Sequence, residues 1–402
     1  MDMQASLDVI PLEILVVIMG FVPLKAGLRL VCNPFRRAAD LTTKRIRVFM
    51  THQDPEKIAA MILRLLRLPC LRDLQITMRQ RDNDAPSLHL LLDAASPRLE
   101  VLEIITNGKR HNTPLHLLKE DVASITSALS RLTSLQTLSM ERIPLGAALA
   151  PVLQQLTGLQ SLTLRSDVLL DAPGVYAVAT TLPQLAGLTS LDLGGNDLCP
   201  VGTQGFAGLA PSLSQLSGLR SLMLNSCGLD DRDAPALAAV ISQMPGLRSL
   251  NLGSNILGEE CAEALVPSLV ALTALQNLDL SKNFLCDNGI VALSPALATM
   301  TALKVLNLRD NEIFGSGAAA LGTALVAMTA LQSLDLLQNR ISNQGIAELV
   351  PALLLTGLTQ FRLGCLSIDI CWWRTVVSRR PQQASMLQLV SMLLASIENR
   401  IY

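Results

Sequence analysis

The 402-residue sequence predicts an α/β repeat solenoid, in which each repeat contributes a short strand and then a helix. Three observations favour this class. The motif LxxLxLxxNxL recurs, and its first leucine returns after 31, 28, 28, 28 and 28 residues. Half of the residues are hydrophobic but only 3% are aromatic, which is typical of an array that reuses a few aliphatic side chains. Charged residues are 16% of the chain, too few for a disordered protein. The regular repeats begin at Leu188, Leu219, Leu247, Leu275, Leu303 and Leu331.

The first half of each repeat is predicted to be a strand. In the repeat that begins at Leu275, Leu278 and Leu280 alternate around Asp279, as a strand with one buried face requires. Three residues later comes an asparagine whose buried amide needs hydrogen bonds from neighbouring turns. This asparagine column consists of Asn196, Asn255, Asn283, Asn311 and Asn339, with Cys227 in the remaining place.

The second half of each repeat is predicted to be a helix. Leucines 18 residues after each repeat start are followed four residues later by a second aliphatic residue on the same helix face. Prolines lie between these two positions, so the helices are expected to kink there or to start with proline in the first turn. These prolines are Pro211, Pro267, Pro295 and Pro351.

The pattern resembles leucine-rich repeat proteins of the ribonuclease-inhibitor type. The resemblance implies a right-handed horseshoe with parallel strands on the concave side and helices outside. Weaker copies start upstream at Leu71, Leu99, Leu135 and Leu159, and a decayed copy starts at Leu358. We therefore expect about eleven repeats in a solenoid over residues 71–368, with a C-terminal helical cap over 369–402.

Residues 8–38 do not repeat and are similar to an F-box. That family has Leu-Pro, an acidic residue, an aliphatic helix, a proline turn, Val-Cys and Trp-Arg. Here Phe35 replaces the tryptophan, Pro34 precedes it, and the spacing is about two residues tighter. The resemblance implies a helical F-box-like segment over residues 1–45 and a helical linker or cap over 46–70. Its adaptor-binding residues would be Ile10, Pro11, Ile14, Leu15, Ile18, Val31, Cys32 and Phe35.

The sequence contains no catalytic, cofactor or metal motif, so we expect neither an enzyme nor a bound cofactor. It lacks GxxxxGK[ST], GxSxG and HExxH, and none of its eight cysteines forms a CxxC. The net charge of −1 argues against nucleic-acid or membrane binding. Reduced cysteines and the lack of a basic signal-like start favour the cytoplasm or the nucleus.

The predicted concave face offers two exposed polar columns for a protein partner. One column precedes the strands and is basic or amide, and the other lies between the two buried strand leucines and is acidic or amide. Part of this face could instead be only solvated. The candidate partner-binding residues are Arg220, Arg248, Asn251, Asp279, Lys304, Asn307, Arg309 and Asp335.

Three functions are compatible with these features. The F-box resemblance implies a substrate receptor that docks on the Skp1 adaptor of a cullin–RING ubiquitin ligase and is a monomer outside that complex. The second is a general interaction scaffold whose N-terminal segment is only a helical cap. The third is a GTPase activator similar to the Ran GTPase-activating proteins, which share the repeat type but carry an acidic tail that is missing here.

Overall fold

The computed structural model describes residues 45–50, 71–79, 88, 92, 98–107, 117–166, 168, 172–199, 205–355, 358–364 and 366–369. The chain divides into two compact units, residues 1–188 and 189–402. The predicted F-box-like segment, most of the linker and all but the first residue of the C-terminal cap lie outside the described residues.

The first unit contains a parallel sheet in which each strand pairs with the next along the chain. The strands are β1 (Arg45–Met50), β2 (Asp73–Arg79), β3 (Val101–Asn107), β4 (Thr137–Glu141) and β5 (Ser161–Arg165). The described helices are α1 (Lys119–Ser130), α2 (Ala150–Gln155) and α3 (Ala172–Ala179), with 3-10 turns at Gly146–Leu149 and Leu182–Gln184.

Strand β1 differs from the helical linker that we predicted for residues 46–70. It pairs in parallel with β2, and its register aligns Ile46 with Leu74 and Val48 with Ile76. Leu74 and Ile76 are fully buried. The alternation of Arg, Ile, Arg and Val in this segment has the two-residue period of a strand, so the sheet begins one strand before the first predicted repeat.

The second unit holds the regular repeats. Strands β6 to β12 pair in parallel in chain order, and β13 runs antiparallel to β12. The strands are β6 (Ser190–Asp192), β7 (Ser221–Met223), β8 (Ser249–Asn251), β9 (Asn277–Asp279), β10 (Val305–Asn307), β11 (Ser333–Leu337), β12 (Gln360–Gly364) and β13 (Leu366–Asp369).

The helices of the second unit follow the strands as predicted. They are α4 (Ala210–Leu213), α5 (Ala234–Ser242), α6 (Glu259–Val270), α7 (Cys286–Thr299), α8 (Gly315–Leu325) and α9 (Asn343–Leu355), with 3-10 turns at Gly205–Gly208 and Asp231–Asp233. Their aliphatic stripes are buried, as are the strand leucines Leu278 and Leu280. Each unit therefore follows the α/β architecture of a leucine-rich repeat solenoid.

The prolines occupy two kinds of position, and one of them is the predicted first turn of a helix. Pro211 occupies the first turn of α4, where its missing N–H removes no helical hydrogen bond. Pro267, Pro295 and Pro351 lie inside α6, α7 and α9. Pro267 and Pro295 are exposed, so the carbonyl that each leaves without a helical donor lies on the solvent side and can be hydrated.

The asparagine column joins successive repeats, which confirms its predicted structural role. The Nδ2 of Asn283 donates to the carbonyls of Leu252 and Leu280 at 3.0 Å, and its Oδ1 accepts from the Leu257 N–H at 3.1 Å. The thiol of Cys227 substitutes in part by donating to the Leu193 carbonyl at 3.4 Å. Each of these side chains thus satisfies backbone groups in its own turn, in the preceding turn, or in both.

Candidate functional site

The second unit carries the two polar columns that the sequence predicted: the basic column before the strands is exposed, and the acidic and amide column between the buried strand leucines is half-buried. In the basic column, Arg220, Arg248 and Lys304 are exposed. Arg220 donates from Nη1 to the Gly246 carbonyl at 2.9 Å, whereas Arg248 and Lys304 make no side-chain hydrogen bond or ion pair within the described residues. Arg248 and Lys304 are therefore available to an acidic partner.

The acidic and amide column is half-buried, because each member caps its own strand end. Asn251 Oδ1 accepts from the Gly253 N–H at 2.9 Å, Asp279 Oδ1 from Ser281 at 2.9 Å, and Asp335 Oδ1 from Leu337 at 3.0 Å. Asn307 accepts from Arg309 in the same way at 3.2 Å. The local signal for this role is an Asp or Asn two residues before the turn that ends the strand.

In Asp279 and Asp335, the other carboxylate oxygen, Oδ2, contacts a side chain of the following repeat. The Nδ2 of Asn307 donates to Asp279 Oδ2 at 3.1 Å, and Arg362 pairs with Asp335 Oδ2 at 3.3 Å. The Nε of Arg309 donates to Gln338 Oε1 at 2.6 Å. The arrangement brings the predicted residues together, but much of the hydrogen-bonding capacity of the acidic column serves the fold.

Three free thiols in the described part of the second unit are poorly suited to nucleophilic chemistry. Burial raises the pKa of Cys227 to about 12. The Sγ of Cys199 donates to Asp233 Oδ2 at 3.2 Å. Burial, as the larger cause, and this hydrogen bond together raise the pKa of Cys199 to about 12. Burial and the nearby Asp231 raise the pKa of Cys261 to about 12. Such thiols are protonated at neutral pH, when the reactive form is the thiolate.

Among the described residues, no group of three or more His, Cys, Asp or Glu side chains is arranged to hold a metal ion. No helix in the described part of the chain is both long and apolar enough to cross a membrane. The predicted adaptor-binding residues Ile10, Pro11, Ile14, Leu15, Ile18, Val31, Cys32 and Phe35 lie outside the described residues.

Comparisons with known proteins show one family match, which covers a short part of the chain. A leucine-rich repeat family model matches residues 299–322, which span the end of one repeat and the start of the next. No curated protein matches the chain. An internalin from Listeria monocytogenes strain 4b F2365 is similar at 16% identity, with a TM-score of 0.41, over 84% of this chain and 95% of the internalin.

Proposed function

We propose that this chain is a non-catalytic receptor that binds a protein partner on its second unit. The binding surface, which we call the strand face, consists of the basic column and the acidic and amide column described above. The observation that carries the proposal is the exposure of Arg248 and Lys304 beside the half-exposed Asp279 and Asn307. Since those two cations have no ion-pair partner within the described residues, a partner carboxylate could approach them without displacing an existing pair.

The finer proposal is that residues 1–45 act as an F-box. In this role the segment docks on a Skp1-type adaptor, and the repeats hold a target close to the ubiquitin-loaded enzyme. The support is the order of Ile10-Pro11, Pro23, Val31-Cys32 and Phe35-Arg36 in the sequence. Proximity and orientation are what a receptor without its own chemistry contributes to such a reaction.

Adaptor capture with purified proteins tests the F-box role. We expect the full chain to bind a recombinant Skp1-type adaptor, and the Leu15→Ala, Phe35→Ala double variant to lose binding while keeping the circular dichroism of the repeats. Truncation of a side chain that anchors an interface typically reduces the binding free energy by about 2 kcal/mol or more. Failure of the wild-type chain to bind, or binding that survives the double substitution, would reject the F-box role.

Charge reversal tests the strand face separately. The Arg248→Glu, Lys304→Glu variant should fail to retain protein partners that crosslink to the wild-type chain, while adaptor binding is unchanged. A matched variant reverses two exposed helix charges, Glu120→Lys and Glu348→Lys, and should retain those partners. Equal retention by both variants would locate the binding surface elsewhere.

A further inference from the structure

Two large apolar side chains are exposed at one position of successive repeats, directly after the asparagine column. Ile256 is 57% exposed and Phe284 is 54% exposed. The Phe284 N–H donates to the carbonyl of Leu257 at 2.9 Å, so Phe284 lies beside the turn that carries Ile256. By contrast, Phe206 and Phe361 are almost completely buried. We refer to Ile256 and Phe284 as the apolar pair.

The apolar pair is bounded by residues of a different character at the same repeat position. Gly228 occupies this position in the preceding repeat, and Glu312 and Arg340 occupy it in the two following repeats. Arg340 lies 3.8 Å from the Glu312 carboxylate. At this repeat position, exposed apolar side chains therefore occur in two successive repeats, which fits a short segment of a partner.

A column of carboxylates runs three residues further along each repeat: Asp231, Glu259 and Asp287. Their hydrogen bonds come from neutral donors. Asp231 accepts from the Gly258 N–H at 2.7 Å, Glu259 from the Asn288 amide at 2.7 Å, and Asp287 from the Phe314 N–H at 2.7 Å. None of the three forms an ion pair within the described residues, so their negative charge is not neutralised by a neighbouring cation.

The local charge balance indicates the sign of a partner. Residues 228–233, 256–263 and 284–288 contain seven acidic residues and one basic residue, Arg232. The thiol of Cys286 responds to this field, because burial and then the charges of Glu312, Glu259 and Asp287 raise its pKa. A basic segment is attracted to such a surface, while an acidic one is repelled.

We propose that the apolar pair and the carboxylate column form a second protein-docking surface, which takes a basic segment that presents aliphatic side chains next to Lys or Arg. Phe284 and Ile256 contact the aliphatic side chains, and Glu259 with its neighbouring carboxylates pairs with the cations. This surface is separate from the polar columns of the strand face and does not depend on an F-box role.

Fluorescence anisotropy with three labelled synthetic peptides tests the proposal on the full chain. The peptides share one amphipathic pattern and are made of Leu and Lys, of Leu and Glu, or of Ser and Lys. We expect the Leu/Lys peptide to bind the wild-type chain about tenfold or more tightly than either of the others, since only it supplies both contacts.

Variants of the chain locate the binding. Ile256→Ser with Phe284→Ser should weaken binding of the Leu/Lys peptide by about tenfold or more. Glu259→Gln should also weaken this binding, and should reduce its dependence on salt concentration. The control Val270→Ser with Val326→Ser removes two other exposed apolar side chains and should not change binding. Equal binding of the Leu/Lys and Leu/Glu peptides would overturn the proposal, as would wild-type affinity in the Ile256, Phe284 variant or no binding by the wild-type chain.

Discussion

At the scale of single residues, the asparagine column shows how one side chain connects two repeats. The amide of Asn283 serves as donor and acceptor to four backbone groups within two repeats. The sequence predicted this role because a buried amide in a repeated turn must find partners. It did not predict that the Asp and Asn residues between the strand leucines also cap the strand ends, because that role depends on backbone geometry two residues away.

Replacement of Asn283 by alanine should lower the free energy of unfolding by about 1–3 kcal/mol, because the Leu257 N–H loses its acceptor in a buried turn. The Leu252 and Leu280 carbonyls each lose one amide donor and keep another, from Asn255 and Asn311. Chemical denaturation followed by circular dichroism measures the change. Asn288→Ala is the control, since Asn288 is exposed and its side-chain amide donates to the exposed Glu259. An unchanged unfolding midpoint in Asn283→Ala would contradict the structural role.

Alkylation tests the assignment of three thiols, of which Cys227 and Cys261 are buried and Cys199 is half-buried. At pH 8 a pKa of about 12 leaves roughly one thiol in ten thousand as thiolate, so iodoacetamide should label Cys199, Cys227 and Cys261 slowly. Labelling should rise with pH throughout the range below 12, because a raised pKa keeps the neutral form dominant up to that value. Peptide mass mapping reports each site, and urea-denatured protein gives the reference rate. Labelling of any of the three at that reference rate in the folded chain would contradict the assignment.

At the scale of elements, the helices were predictable from aliphatic spacing, but their ends and the ends of the sheet were not. Helix α6 receives its N-terminal acceptor from Asp231 of the preceding repeat, which lies 27 residues before Gly258. A cap of this kind leaves no local signature such as a Ser or Thr at the helix start. Strand β13 likewise reverses direction after β12, and the decayed repeat at Leu358 gave no sign of an antiparallel partner.

Asp231→Ala should destabilise the second unit by about 0.5–2 kcal/mol, because the N–H groups of Gly258 and Cys261 lose their acceptor at the start of α6. Asp231→Asn is the matched variant. It keeps an oxygen acceptor but removes the charge, so it should lose only about 0.3–1 kcal/mol of interaction with the helix dipole. Thermal melting of the three proteins measures the difference, and equal loss in both variants would show that charge, and not the hydrogen bonds, stabilises this end of α6.

At the scale of the whole molecule, the sequence predicted a repeat architecture because every regular unit carries the same columns at the same spacing. The candidate strand face was also predictable as a set of exposed positions, since strand residues alternate between two faces. The degree to which those side chains are already engaged with one another was not predictable. Contacts such as the one from Asn307 to Asp279 join residues 28 apart, and they depend on how the repeats stack.

Stability should vary along the chain in proportion to the regularity of the repeats. Residues 219–340 contain successive 28-residue repeats with an almost complete asparagine column and the paired helices α5 to α8. Residues 119–166 have the six-residue helix α2, and Ile143 stands where an asparagine would cap the turn. Because the stability of a repeat array is approximately a sum over units and their interfaces, a unit with weaker interfaces opens more often.

We therefore expect slower amide hydrogen exchange in β8, β9 and β10 than in β4 and β5. Asn283→Ala provides an internal control. It should increase exchange most strongly in β8 and β9, whose turns share the lost amide, and much less in β4, because nearest-neighbour coupling decays along the array. Exchange measured by mass spectrometry on peptic peptides resolves these segments. Faster opening of residues 219–340 than of 119–166 would contradict the expected order of stability. A uniform response to Asn283→Ala would show instead that the array unfolds as one cooperative block rather than repeat by repeat.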